Sequence, residues 1–239
     1  MLTTTGRHLL RAARHSYQDA SACLDLTRPL VRKADRGALF AVADGVSTAE
    51  RGGEAARVTC AGLERFFTDP RFEPSGDGLR QVVAEIDAEI HAWGRNPEDG
   101  HTLGAAALTA AWLSPARCLV IAQLGDTAAF RLRGETPDRA DLITHQHSRG
   151  HMLTRFVGQG GGPQNVALDA FPFDDGDTLV VVSDGVTKGL RSPQIGTIVA
   201  DSRNEQAAAE AICAAARLAG SYDDITALVV YLEDWELWS

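Results

Sequence analysis

The sequence lacks most of the features that would place it in a specialised class at once. Its four cysteines, Cys23, Cys60, Cys118 and Cys213, are scattered and make no metal-ligand or redox spacing. Isolated thiols with apolar flanks belong to a reducing compartment. No run approaches the ~20 apolar residues needed to cross a bilayer, and the N-terminus has no apolar core of a secretory signal. There is no internal repeat and no low-complexity linker. Positive charge is in short supply: 23 Lys and Arg stand against 32 Asp and Glu, a formal net charge of −9. That balance argues against a nucleic-acid partner held by bulk electrostatics. It would also repel a phosphate-bearing substrate unless local cations reverse the field. The expectation from these absences is a cytoplasmic protein with no membrane and no nucleic-acid partner, and its Ala- and Arg-rich character points to a bacterial cytosol.

What is present is ordinary for a globular chain: 44% hydrophobic and 23% charged residues over 239 positions. Residues 38–43 (ALFAVA) read as a buried strand. Ala55, Val58, Thr59, Gly62, Leu63 and Phe66 recur at helical spacing over 54–67. After a loop with Pro70, Pro74 and Gly76, a second stripe runs through Leu79, Val82, Val83, Ile86, Ile90 and Trp93. Short apolar or alternating runs at 105–113, 117–124, 127–133 and 140–144, separated by turn residues, predict a meander of antiparallel strands. Residues 158–163 (GQGGGP) read as a flexible connector, 178–183 as a strand, 193–201 and 204–219 as Ala-rich helices, and 225–232 as a last strand. Strands apolar on both faces predict two stacked, mainly antiparallel sheets with helix pairs outside, an α+β sandwich of four layers. No boundary divides the chain, so 1–239 reads as one domain.

Three strands end in an aspartate: "FAVADG" in Asp44, "VIAQLGD" in Asp126 and "LVVVSDG" in Asp184. A fourth, Asp223 in "GSYDDITALVV", precedes the last strand. Each alone reads first as a turn or helix-cap residue. Together they suggest a shared site, because converging carboxylates repel one another and raise their pKa values until a hard divalent cation neutralises them. Gly45 and Gly185 follow two of them, and a glycine there frees the backbone to turn toward an ion. Spacing alone leaves the two readings evenly balanced.

The stretches "FAVADGVSTAERGGEAA", "LGDTAAFRLR", "LVVVSDGV" and "GSYDDITALVV", in that order, resemble the motifs of the metal-dependent type-2C protein phosphatases, the PPM family. Upstream, "RHSYQDA" looks like the family's first motif, and "HTLGAAALTAAWL" resembles its Gly-Thr-Thr strand. The likeness runs from about residue 11 to 232, and its bacterial-type members are the better match. It implies hydrolysis of phosphoserine and phosphothreonine in proteins by a water that two Mg²⁺ or Mn²⁺ ions activate, with a third ion in some members. Residue by residue, the resemblance implies that Asp44 bridges the two ions and that the Gly45 carbonyl binds one of them. Asp184 and Asp223 complete the other ion's shell, and Asp126 joins Asp184 at a third. Asp19 orients the attacking water, and Arg14 holds the substrate phosphate, a role that suits a guanidinium fork. The implied partners are a phosphoprotein substrate and a serine/threonine kinase that opposes the enzyme; the chain is expected to be a monomer.

The chain departs from the family's pattern at several points. Val46 stands where animal-type members carry a His proposed as the acid for the leaving group. Ser47-Thr48 replace a Gly-Gly pair, and Gly52-Gly53 come later. Asp224 stands where Asn is usual and adds negative charge beside the site. The flap of some twenty residues expected after "THQHS" is almost absent, which predicts an open site with little selectivity among phosphopeptides. A pseudophosphatase that binds without turnover is the rival reading; the retained acids weigh against it. His145, His147 and His151 match no strong zinc pattern and read as solvated or supporting histidines. The loop 158–163 lacks the Lys-Ser/Thr of a phosphate cradle, and Trp235 and Trp238 read as caps on the core.

Overall fold

The computed structural model describes residues 2–12, 17–150 and 152–233. Strand β1 (Leu2–Leu10) leads to β2 (Asp19–Leu24), a short helix α1 (Pro29–Ala34) and β3 (Ala38–Gly45). Helices α2 (Gly52–Gly62), α3 (Arg65–Thr68) and α4 (Gly76–His91) follow. Then come β4 (Ala106–Leu113), β5 (Cys118–Leu124), β6 (Ala128–Arg133), β7 (Thr136–Leu142) and a small hairpin of β8 (Ser148–Arg149) and β9 (Met152–Leu153). The chain closes with β10 (Ala167–Pro172), β11 (Thr178–Val182), α5 (Asp184–Thr187), α6 (Ser192–Ala200), α7 (Glu205–Leu218) and β12 (Ile225–Glu233).

Two five-stranded antiparallel sheets form, in the orders β1-β12-β11-β6-β7 and β10-β5-β4-β3-β2. Side chains alternate across a strand, and both faces of the central strands are apolar, so each sheet buries two surfaces. In β3, Leu39, Ala41 and Ala43 pack under α2 and α4, whereas Ala38, Phe40 and Val42 face the other sheet. In β12, Ile225, Ala227 and Val229 pack under α6 and α7, whereas Leu228, Val230 and Leu232 face inward. Three apolar layers between four layers of structure are the expected α-β-β-α sandwich.

Local chemistry sets the helix ends. The Ser75 hydroxyl accepts from the Gly78 N–H (3.1 Å) to start α4, and the Asn204 side chain accepts from the Ala207 N–H (2.8 Å) to start α7. The single helix expected over 54–67 is broken after Gly62. There the chain tightens into three-residue turns, Glu64 N–H to the Ala61 carbonyl and Phe66 N–H to the Leu63 carbonyl, which swing Phe66 and Phe67 inward.

Two other expectations are corrected. The meander is not one sheet: β4 and β5 pair in one and β6 and β7 in the other, so the chain crosses between sheets at Gly125–Thr127. The Thr127 carbonyl is held there by the Thr109 hydroxyl (3.1 Å) and the Gln123 amide (2.9 Å). The loop 158–163 is anchored. The Asp87 carboxylate, 1% exposed within the apolar stripe of α4, accepts the N–H groups of Gly158, Gly160 and Gly161 at 2.7, 3.1 and 3.0 Å. A glycine-rich segment can offer consecutive amides to one carboxylate, and a buried carboxylate requires them. Among the described residues no helix is long and apolar enough to cross a membrane, and all four cysteines are free thiols.

Candidate metal centre

The antiparallel register of β2 and β3 sets Asp19 directly opposite Asp44. On the second sheet, β11 runs out at Val182 and Asp184 opens α5, while Asp223 and Asp224 lead into β12. Reciprocal bonds tie these two ends together: the Ser183 N–H donates to the Thr226 carbonyl (3.1 Å), and the Thr226 N–H to the Ser183 hydroxyl (3.0 Å). Asp126 sits on the crossover between the sheets. Strand ends from both sheets therefore meet at one end of the sandwich, around a cavity of about 280 Å³. Asp44, Gly45, Asp126, Asp184, Asp223 and Asp224 line it, with Lys188, Gln18, Val46 and Ser47.

Two glycines allow this approach, for a reason other than the expected freedom of the backbone. Neither Gly45 nor Gly185 has a positive φ. A Cβ on Gly45 would lie 2.5 Å from the Gly52 carbonyl, and one on Gly185 only 1.9 Å from the Asp224 carbonyl. They are glycines because another stretch of backbone occupies the place of a side chain.

The electrostatics follow from the crowding. Burial first, then the charges of Asp19, Asp184, Asp223 and Asp126, holds the Asp44 carboxyl well above the usual carboxylate range. Burial and, among the charges, Asp224 raise Asp19 to about 6, against hydrogen bonds from Thr226 and Ser183 that lower it. Asp126 is pushed up to about 6 by burial and by Asp184. Two oxygens, Asp19 Oδ1 and Asp184 Oδ1, are buried and accept no hydrogen bond. Such an orphan costs roughly 1–3 kcal/mol, more when charged. All the groups here are hard oxygens, the donors that suit Mg²⁺ and Mn²⁺, so the lining fits divalent cations. Among the described residues, no three acids, imidazoles or thiolates already stand in a closed coordination cluster. Lys188 pairs with two of them: its Nζ lies 2.6 Å from Asp184 Oδ2 and 2.7 Å from Asp223 Oδ2.

Asp44, Gly45, Asp126, Asp184 and Asp223, anticipated in the sequence, are thus brought together. Asp19 lies behind Asp44 and off the cavity wall, 4% exposed, with its Oδ2 accepting from the Thr226 hydroxyl (2.5 Å); that hydroxyl also meets the Tyr17 OH. Arg14 and His151 lie outside the described residues, as do Trp235 and Trp238. The segment that carries Arg14 is bracketed by Asp224, whose two oxygens accept the N–H groups of Ala12 (2.6 Å) and Gln18 (2.8 Å). Asp224 is therefore more than an extra charge beside the site. In place of a long flap, the β8–β9 hairpin puts Gly150 and Leu153 on the cavity wall. Among the described residues the histidines form no cluster. His145 Nε2 is 3.5 Å from Asp169, and His147 accepts from the Gly125 N–H (3.3 Å), its pKa lowered by burial and by Arg155.

Thr226, Tyr17 and Lys188 were missed in the sequence. A polar residue at a buried position of the apolar run "ITALVVYL" is a signal that could have found Thr226.

Comparison with known proteins bears on the same residues. The family profile described as protein phosphatase 2C matches residues 12–223. The serine/threonine phosphatase stp of Listeria monocytogenes is 27% identical over 173 residues, covering 64% of this chain and 66% of that protein. The chain thus spans just under two thirds of the length of that curated relative. MsPP, a PPM Ser-Thr phosphatase from Mycobacterium smegmatis solved in complex with cacodylate, is 25% identical, with a TM-score of 0.74 over 96% of this chain and 98% of that one. The catalytic domain of the serine threonine protein phosphatase PstP, solved in complex with 2 manganese ions, has 20% identity and a TM-score of 0.76 over 97% of this chain and 99% of that one. Since the profile spans most of the chain and takes in Asp44, Asp126, Asp184 and Asp223, the chain belongs to the protein phosphatase 2C family.

Proposed function

We propose that this chain is a metal-dependent protein phosphatase, a single domain over 1–239, that hydrolyses phosphoserine and phosphothreonine. The observation that carries the reading is the meeting of four carboxylates from separate strand ends in one cavity, with a buried Asp184 oxygen left without a donor. Asp44, Gly45, Asp184 and Asp223 are the residues that would hold two Mg²⁺ or Mn²⁺ ions, with Asp126 and Asp184 at a third. Bound there, such ions lower the pKa of a water and neutralise charge building on the phosphoryl oxygens. Asp19, buried behind Asp44, supplies a carboxylate fixed by Thr226 that orients the attacking water and can take its proton. Arg14 holds the phosphate of the substrate. Val46 on the cavity wall offers no proton to the leaving group, so the serine or threonine oxygen takes its proton from solvent. With a net charge of −9 and an acidic cavity, phosphate enters only when cations have reversed the field.

The wider setting proposed with it is a cytoplasmic monomer that acts on a phosphoprotein and opposes a serine/threonine kinase, without nucleic acid or membrane. One observation favours a second reading, a pseudophosphatase: Lys188 already pairs with Asp184 and Asp223. Hydrolysis of an aryl phosphate and of a phosphothreonine peptide, after chelation and again with Mn²⁺, separates the two. Turnover that vanishes on chelation and returns with Mn²⁺ supports the phosphatase. No turnover above that of Asp44→Asn under any metal condition supports the pseudoenzyme.

A further inference from the structure

Among 23 basic residues the chain has only two lysines, Lys33 and Lys188; the rest are arginines. Lys33 is exposed on α1. Lys188 caps α5, one helical turn after Asp184, with its N–H on the Asp184 carbonyl (2.8 Å). That spacing carries its side chain back over Asp184, and its Nζ ends between two carboxylates from different segments, 2.6 Å from one and 2.7 Å from the other. An arginine fork would spread its charge over a plane; an ammonium is a compact point charge, the feature it shares with a metal ion. Its side chain keeps 48% of its exposure, while Asp184 keeps 19%, so the ammonium can swing out to solvent where the carboxylate cannot.

We propose that Lys188 is a tethered cation that fills one cation position of this cavity, so that a divalent ion enters the Asp184–Asp223 pair only by displacing the ammonium. The inference rests on reading the cavity as a metal centre. One ion can then bind through Asp44 without disturbing Lys188, and the ion shared by Asp184 and Asp223 binds more weakly. Its apparent dissociation constant is the intrinsic one divided by the fraction of molecules in which Lys188 has left the pair. The metal-free fold gains in return, because two mutually repelling carboxylates are held by a charge that cannot diffuse away.

The test is calorimetric titration of the metal-stripped full chain with Mn²⁺, for the wild type, Lys188→Met and Lys188→Arg. Lys188→Met should tighten the weaker Mn²⁺ site by about tenfold or more, since a positive charge beside the ion is removed. Lys188→Arg should fall between the two, because a planar guanidinium keeps the charge but not the compact form that fits between the carboxylates. A measurement on the unaltered protein covers the case in which Lys188→Met folds poorly: acetylation of Lys188, followed by mass spectrometry with Lys33 as internal reference. Mn²⁺ or Mg²⁺ should make Lys188 more reactive relative to Lys33. Mn²⁺ binding with identical isotherms in wild type and Lys188→Met, or a Lys188 reactivity indifferent to metal, would overturn the proposal alone. No Mn²⁺ binding by any of the proteins would overturn the metal-centre reading and this inference together.

Discussion

Two buried carboxylate settings in this molecule differ in one respect that separates structure from chemistry. Asp87 lies inside the apolar stripe of α4 and accepts three backbone N–H groups. At the end of the sandwich, Asp44, Asp19, Asp126 and Asp184 face one another, and two of their buried oxygens accept nothing. The first carboxylate is complete within the protein, and it fixes a loop. The others are incomplete, and the raised pKa values of Asp19, Asp44 and Asp126 record the conflict. A buried acid alone says little; whether its oxygens are satisfied by the chain says what it is for.

The strongest way to break that contrast is Asp44→Asn. It should lower kcat by about 10²-fold or more with the fold intact, as read by circular dichroism, and the chelated protein should melt no lower than wild type. Near-normal turnover would place the bridging ligand elsewhere.

Asp87→Ala should do the reverse. Three buried N–H groups would lose their acceptor, for a loss of about 3 kcal/mol in urea denaturation, while the Mn²⁺ isotherm stays that of wild type. Loss of Mn²⁺ affinity without loss of stability would erase the distinction.

Thr226→Val sharpens the contrast by leaving Asp19 Oδ2 without its hydroxyl donor. We expect about 1–2 kcal/mol of destabilisation without metal, part of it restored by Mn²⁺. An unchanged stability would show that Thr226 does not support Asp19.

The smallest effect is in pH. Asp19 and Asp126 titrate near 6 in the folded chain and near 3.9 when unfolded. The folded state therefore binds more protons between about pH 4 and 6, and stability present below that window is lost as pH rises through it. The loss should be on the order of 1 kcal/mol, about 2–4 °C in the melting temperature of the chelated protein. Saturating Mn²⁺ should abolish this slope. A chelated protein that melts higher at pH 7 than at pH 5 would contradict it.

How much of this could be read in advance depended on where each interaction lives. Strands β3, β11 and β12 were legible because both their faces are apolar, and Asp44, Asp184 and Asp223 because they sit where such runs stop. Strand β1 was not: it is an edge strand, "LTTTGRHLL", and its pairing with β12 leaves no strong apolar alternation. The crossover at Gly125 was read as one more turn, since a turn within a sheet and a step between sheets use the same residues. Asp87 was hidden because its partners are backbone amides some seventy residues away, which leave no side-chain signature. Gly45 was singled out for a freedom it does not use; the constraint comes from Gly52, which only folding brings close. Lys188 meets Asp184 through local helical spacing, but its contact with Asp223 comes only with folding.

The acids of the cavity are divided between the two sheets, Asp44 on one and Asp184 with Asp223 on the other. Short connections cross between the sheets at 125–127, from β5 to β6, and at 173–177, from β10 to β11. A cation gripped from both sides would therefore act as a rivet through the sandwich and resist sliding of one sheet over the other. The layer it would secure is the inward-facing one, where Phe40 and Leu228 lie. Amide protons in β3 and β12, far along the strands from the cavity, should then exchange more slowly once the rivet is in place.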